Sequence, residues 1–331
     1  MSHLEIRPVE RLERIEAWGM SSFSLAYAYH PTNYFGIMEA LDAARAMEVT
    51  AAFEGGGNSY GDAFQNAEGV VIDLSRMDRV LKWDPNSGVI VCEPGVTIRR
   101  LWQHTIGDRW WPPVVSGTSN TTLGGALSAN IHGKNNFRAG PIGEHVRRFD
   151  LLLPSGETRN CSPTENSDIF FAAIGGFGLL GAIVSIELQM KRINSGLVEV
   201  EARSVANWED AFRAFESFEA RDYVVGWIDC TKCGNGAGRG LLHAANYVEG
   251  DPHPEESLSV KSQEIPDTAL GWFPRSKMYS VMRKFNTTRR MAFVNTLKFR
   301  SGRRESGKVY KTPLAEFNFL LDSAPNWKWA Y

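Results

Sequence analysis

Cysteine is scarce: Cys92, Cys161, Cys230 and Cys233 are all the thiols in 331 residues. A chain this long does not rest on a disulfide framework built from so few. There is also no apolar run approaching the roughly 20 residues of a membrane-spanning helix. The first residues, MSHLEIRPVERLERIEAWG, are charged and hold no secretory apolar stretch, so a cytoplasmic, reduced protein is expected. Neither sign of charge is in excess: the formal net charge is −2, which speaks against a general nucleic-acid binder. No internal repeat of the solenoid kind occurs. Cys230-Thr-Lys-Cys233 is one pair without a second, too little for a zinc centre, and no metal site is expected.

What is present is enough apolar sequence, 43% hydrophobic, for a sizeable core and for two domains. Residues 33–49 have helical spacing through Ile37, Leu41, Ala44 and Met47. Strands are expected at 70–75, 88–95, 147–157 and 182–190, with a helix over 96–106. Ser162-Pro-Thr-Glu165 fits a capping box ahead of a short buried helix. Beyond about residue 193 the pattern becomes strand, aromatic helix (Trp208, Phe212, Phe215, Phe218), strand. The class is α+β, with domains expected at 1–193 and 194–331. Over 275–311 about a dozen Lys and Arg residues face one acid, Glu305. That segment is either a solvated basic face or a surface for anionic lipid or a phosphorylated substrate.

Glycine is concentrated in three places. Gly176-Phe-Gly178-Leu-Leu-Gly181 matches a dinucleotide-binding pattern letter for letter, but a helix precedes it and a strand follows. The motif requires the reverse order, so a helix-to-strand turn is expected, with backbone contact to a ring system left open. Phe53-Glu-Gly-Gly-Gly-Asn-Ser-Tyr-Gly-Asp62 holds four glycines in ten residues; successive glycines present amides to a phosphate without a Cβ in the way. Val115 to Asn135 is a long run of small and hydroxyl residues without charge until Lys134. It suits close approach of a flat, extended ligand, with hydroxyls for phosphate or ring carbonyls.

EGGGNSYGD, SGTSNTTLGGALSANIHGKN and GGFGLLGAIVSIEL, in that order and spacing, resemble the FAD-binding (PCMH-type) domain of the vanillyl-alcohol-oxidase flavoproteins. Within that superfamily the chain is most similar to the decaprenylphosphoryl-ribose oxidase branch, flavin subunits of a sugar 2-epimerase. The similarity runs over about 50–190 and returns in PLAEFNFLLDSAPNWKWAY. It implies a two-lobed FAD-binding domain followed by a substrate (cap) domain. It also implies an oxidoreductase moving hydride from a secondary sugar hydroxyl to FAD, the substrate being a polyprenyl-phosphate-linked pentose, an aldonolactone or another carbohydrate. A short-chain reductase partner and peripheral membrane contact through 275–311 go with it.

Residue by residue, the resemblance places Phe53, Glu54, Gly55, Gly56, Gly57 and Asn58, with Ser59, Tyr60, Gly61, Asp62 and Ala63, around the FAD diphosphate. Gly117, Thr122, Leu123, Gly124 and Gly125 continue those contacts. Ala129, Asn130, Ile131 and His132 would lie along the isoalloxazine, and Ile183 on the adenine side. The first loop has no histidine for a covalent tether, so FAD is expected to be non-covalent. His132, Lys134 and Tyr60 are the candidate catalytic groups: a polar partner at the reacting centre, a cation for charge or substrate phosphate, and a hydrogen bond near the flavin. For His132 and Tyr60 plain packing is the alternative. Lys134, Trp227 and Asn318 are the candidate substrate contacts. Trp227 reads equally well as a core residue, and Asn318 replaces a family tyrosine, which changes pocket size and polarity. Relatives continue for roughly a hundred residues, about a small domain, past the element that ends here at Tyr331. That tail carries a lysine and a cysteine of the active site and a tyrosine at the flavin. An incomplete cap domain is therefore expected, with strands begun by FNFLLD lacking partners. A fragment, or a flavin-binding remnant without catalysis, is the corresponding alternative.

Overall fold

The computed structural model describes residues 8–269, 271–324 and 326–330. It opens with a four-stranded sheet of order β1-β2-β4-β3: β1 (Leu12–Glu16), β2 (Phe23–Tyr29), β3 (Ala51–Glu54) and β4 (Val70–Asp73). β1 and β2 are antiparallel, whereas β2, β4 and β3 run parallel. Val70, Val71 and Ile72 of the inner strand are fully buried, as expected of a strand covered on both faces. Between β2 and β3 lies α1 (Tyr34–Ala46). It is opened by Asn33, whose side chain accepts from the Gly36 amide at 3.2 Å and so satisfies a donor the helix leaves free. Its buried stripe, Ile37, Ala40, Leu41 and Ala44, has the spacing that puts side chains on one face.

An antiparallel sheet follows, with β5 (Val80–Asp84), β6 (Val89–Cys92), β8 (Val146–Leu152), β9 (Thr158–Cys161) and β10 (Ala182–Gln189) in the order β5-β6-β10-β8-β9. Its core is shared with α2 (Ile98–Thr105), α3 (Leu123–Ser128) and α5 (Ser167–Ala173) through Ile98, Leu101, Leu123, Leu127 and Phe170. A short pair, β7 (Trp110–Trp111) with β11 (Lys191–Arg192), and a one-turn α4 (Asn136–Ala139) complete this half.

The second half is built on a sheet of order β13-β14-β12-β17: β12 (Leu197–Val205), β13 (Tyr223–Ile228), β14 (Gly240–Tyr247) and β17 (Val309–Pro313). On one face Ala211 and Ala214 of α6 (Trp208–Ser217) meet Val205, Val224, Leu242 and Ala244. α7 (Pro254–Ser257), α8 (Val260–Gln263), the hairpin β15 (Thr268–Ala269) and β16 (Phe273–Pro274), α9 (Met278–Arg283), α10 (Thr288–Glu305) and α11 (Leu314–Asn318) make up the rest. One hydrophobic cluster runs from Ile90 through Val198, Val200 and Tyr223 to Phe319, so apolar packing is continuous across residue 193. Within it Trp111 stacks on Trp102 at 6.0 Å and meets Phe319 at 6.1 Å. Among the described residues no helix is long and apolar enough to cross a membrane.

Two local expectations need correction. The capping box at 162–165 is only half made. The Ser162 hydroxyl accepts from the Glu165 amide at 3.0 Å, but the Ser162 amide donates to the backbone carbonyl of Glu165. The segment is therefore a closed turn, and α5 begins only after Asn166 in the left-handed region (φ 47). FNFLLD forms no strand. Phe317 and Asn318 end α11, and Leu320–Ser323 is a 3-10 turn. Pro313 ends β17 and stands immediately before α11, where its missing N–H cannot continue the ladder. No open strand edge arises there.

Trp111 is completely buried between both halves. Trp111→Ala is expected to cost about 3–5 kcal/mol, measured as a lowered midpoint in chemical denaturation; a change under about 1 kcal/mol would contradict the packing described.

Candidate functional site

The two glycine-rich segments meet. The loop after β3 is stitched to the start of α3 by the Gly56 amide donating to Thr122 Oγ1 at 3.1 Å and by Asn58 Nδ2 donating to the Asn120 carbonyl at 3.2 Å. Contact is close enough to exclude side chains: a Cβ on Gly55 would stand 2.4 Å from Thr122 Oγ1, and one on Gly56 would stand 2.9 Å from the Asn120 carbonyl. Gly57 has φ +61, a conformation that glycine adopts without steric cost. On its other side the loop is fixed by the Trp18 amide, which donates to the Ser59 carbonyl at 2.9 Å, and by the Trp18–Tyr60 ring contact at 5.1 Å.

The second segment is laid along residues 94–99. Leu123 and Gly124 amides donate to the Val96 and Pro94 carbonyls, both at 2.8 Å, and Ile98 and Arg99 amides donate back to Thr121 and Ser119. A third wall comes from the turn at Gly176–Gly181, where Gly178 packs on Phe53. Phe177 itself lies in the left-handed region (φ 50), uncommon for an aromatic, and its amide is held by the Ser128 carbonyl at 3.0 Å.

These walls enclose a cavity of about 1330 Å³, above the roughly 300–1,000 Å³ common for small-ligand sites. Its wall takes Phe53, Glu54, Gly55, Gly56, Gly57, Asn58, Ser59, Tyr60 and Ala63 from the first loop. Gly117, Thr122, Gly124, Gly125, Ala129, Ile131 and Ile183 join them from elsewhere in the chain. The structure does not bring the remaining expected residues to that wall. Gly61 and Asp62 lie exposed on the outside of the loop. Leu123 faces the core. Asn130 adopts φ 44 and turns its Oδ1 to the Gly143 amide at 3.0 Å, while His132 is exposed.

Lys134 is directed toward the second half. Its ammonium donates to the Phe317 carbonyl and lies 4.7 Å from the Phe317 ring centroid, while its carbonyl accepts from the Val224 amide at 2.9 Å. Burial lowers its pKa to about 8. Trp227 lies under Lys298 Nζ at 4.5 Å. Asn318 is buried, its Nδ2 donating to the Leu314 carbonyl at 3.0 Å. Burial, then Lys298 and Lys134, depress the nearby His243.

Several lining residues are not singled out by the sequence: Trp18, Pro94 and Arg99 reach the wall only through tertiary packing, while Arg275 and Asp322 lie in segments marked for other reasons. Phe177, Gly178 and Gly181 could have been found, because their glycine density was visible and only the choice between turn and ligand wall stayed open. The charges on the wall are balanced, with Arg99, Lys261, Arg275 and Lys328 against Glu54, Glu264, Asp267 and Asp322. Glu54 stands at the ends of the parallel strands, in register with Asp73. Burial first, then Asp73 and Glu13, push its carboxyl up to about 7, partly opposed by His30. Burial would lower His30, but its hydrogen bonds to Asp73 (3.0 Å) and Glu13 (3.2 Å) win and raise it. Among the described residues no group of His, Cys, Asp and Glu is arranged to hold a metal ion.

The comparisons with known proteins agree with this geometry. The family model described as FAD binding domain matches residues 26–162. The chain is 29% identical over 255 residues to the decaprenylphosphoryl-beta-D-ribose oxidase of Mycolicibacterium smegmatis, covering 74% of this chain and 54% of that protein. It is 25% identical over 281 residues to a putative D-arabinono-1,4-lactone oxidase of Neurospora crassa, covering 80% of this chain and 47% of that protein. To the L-gulonolactone oxidase of Mus musculus it is 27% identical over 161 residues, covering 49% and 36%. The chain thus spans about half or less of the length of these curated relatives.

Because Glu54 binds its proton more tightly folded than unfolded, its contribution to stability falls as pH rises from about 4.5 to about 7. Glu54→Gln removes that term. The difference in thermal midpoint, variant minus wild type, should grow in favour of the variant between pH 5 and pH 8; a difference independent of pH would contradict the buried-carboxyl reading.

Proposed function

We propose, from a chain whose residues 26–162 form an FAD binding domain, a flavin-dependent oxidoreductase that oxidises a secondary hydroxyl of a sugar. The observation that carries this reading is that the glycine-rich loop at 55–57 and the small-residue segment at 117–129 wall one cavity. Of the backbone at Gly55–Ser59 and Thr122–Gly125, the amides of Gly56, Leu123 and Gly124 are engaged within the protein; the others receive the cofactor diphosphate, as amide-rich loops do for phosphates. Ala129, Ile131 and Ile183 supply apolar wall for its rings. Arg99 and Arg275 on the same wall offset its negative charge. Bound FAD supplies the hydride acceptor.

The chain's own task is to take the hydroxyl proton and exclude water. Lys134, with an amine near pKa 8, is suited to proton exchange near neutral pH, and its place beside Phe317 puts it where the two halves meet. Tyr60, at the wall, provides a further polar contact. FAD is held without a covalent bond: among the described lining residues none is histidine or cysteine, and Cys92 and Cys161 are buried elsewhere.

The finer substrate we favour is a lipid-phosphate-linked pentose, of the kind named for the mycobacterial relative. The segment 275–311 supports it. Val281, Met282, Phe293 and Leu297 are exposed among its cations, a composition suited to peripheral contact with an anionic membrane, and a reductase partner would complete a two-step epimerisation. The second reading is an aldonolactone oxidase, favoured by the similarity that covers 80% of this chain.

Purified chain should be yellow, and acid precipitation should release all of the flavin into the supernatant. Anaerobic addition of a panel of sugars and aldonolactones should bleach it with one class. Lys134→Met should retain flavin while slowing bleaching about 10²-fold, the scale of a lost proton-transfer group. Protein that takes up no FAD, or bleaching unaffected by the substitution, would contradict the proposal.

A further inference from the structure

The segment 314–322 belongs by sequence to the second half, yet it is tied to the cofactor side at successive points. The Phe317 carbonyl takes Lys134, Phe319 packs on Trp111, and the Leu321 amide donates to the Gly117 carbonyl at 3.0 Å. At its end the Asp322 carboxylate, 6% exposed, accepts from Thr118 Oγ1 at 2.6 Å, the Ser119 amide at 2.9 Å and the Ser119 hydroxyl at 2.5 Å. Arg99 Nη2 stands 3.6 Å from the same carboxylate. Of these residues Arg99, Gly117, Thr118, Leu321 and Asp322 line the cavity.

The physical logic is that of a clamp. Gly117 to Asn120 is a loop of small residues with no ladder of its own. The Arg99 amide, donating to the Ser119 carbonyl, fixes it to α2 on one side, and Asp322 fixes it on the other. Hydrogen bonds to an ionised, buried acceptor are stronger than neutral ones, and two hydroxyls and an amide converging on one carboxylate form a cooperative unit. The geometry points to Asp322 as a positioning residue that holds the Gly117–Asn120 wall and Arg99 in place for the flavin, so that the second half of the chain sets cofactor affinity. The inference rests on the flavin reading above. It adds that affinity is controlled by a side chain that lies outside the residues 26–162 that match the FAD binding domain.

The test uses the full chain, with FAD affinity measured by quenching of flavin fluorescence and the thermal midpoint of the flavin-free protein followed beside it. Asp322→Asn should weaken FAD binding about tenfold. Thr118→Val and Ser119→Ala, milder changes at the donors, should each weaken it several-fold. Combining Ser119→Ala with Asp322→Asn should add little, because both remove the same interaction. A purely structural role would instead lower the midpoint while leaving affinities within twofold, or give additive losses in affinity; either result overturns the clamp and leaves the flavin reading standing. Wild-type protein that binds no FAD overturns both.

Discussion

The approach of Gly55–Gly57 to Asn120–Gly125 is the constraint on which the rest depends. The two segments pass this closely only because Gly55 and Gly56 carry no Cβ at the contact, and the Thr122 hydroxyl then bonds directly to the Gly56 amide. The surrounding elements keep that contact in register. β3 delivers the first loop from the edge of a parallel sheet, α2 and residues 94–99 hold the second, and the turn at Gly176–Gly181 closes the side through Phe53. The result is one cavity whose wall includes the glycines of both segments and balanced charges, suited to an extended anionic cofactor.

Much of this was legible because glycine density and hydroxyl density survive as local signals. The glycine run at 55–57 and the small-residue run at 115–135 mark the walls from sequence alone, and the helical spacing of Ile37, Leu41 and Ala44 locates α1. What stayed hidden has a common physical cause. Arg99 and Trp18 reach the cavity through contacts far apart in the chain, and Arg275 and Asp322, though in marked segments, gave no sign that they line it; no local periodicity encodes such contacts. The strand expected at FNFLLD failed for a related reason: its alternating apolar residues serve two different neighbours, Phe317 meeting Lys134 and Phe319 meeting Trp111, so the segment is shaped by tertiary anchors and not by a ladder. The capping box at 162–165 failed locally, because a backbone turn satisfied the Ser162 amide before the Glu165 side chain was needed.

The placement of Lys134 joins the two halves. Its flanking glycine and asparagine belong to the small-residue run, while its ammonium is committed to Phe317 and its carbonyl to Val224. The position of Lys134 is therefore coupled to how α11 and β13 sit on the first half, and the apolar cluster is continuous across residue 193. Burial depresses Lys134 and raises Glu54, so two groups of opposite type titrate close to neutral pH at different parts of the same architecture.

Hydrogen exchange of the intact chain with and without added FAD tests the central claim most directly. The account predicts that amides of 55–59 and of 122–126 slow together when FAD is present, while those of α6 on the far side of the second-half sheet do not change. Protection confined to one of the two segments, or appearing only elsewhere in the chain, would contradict a shared flavin slot.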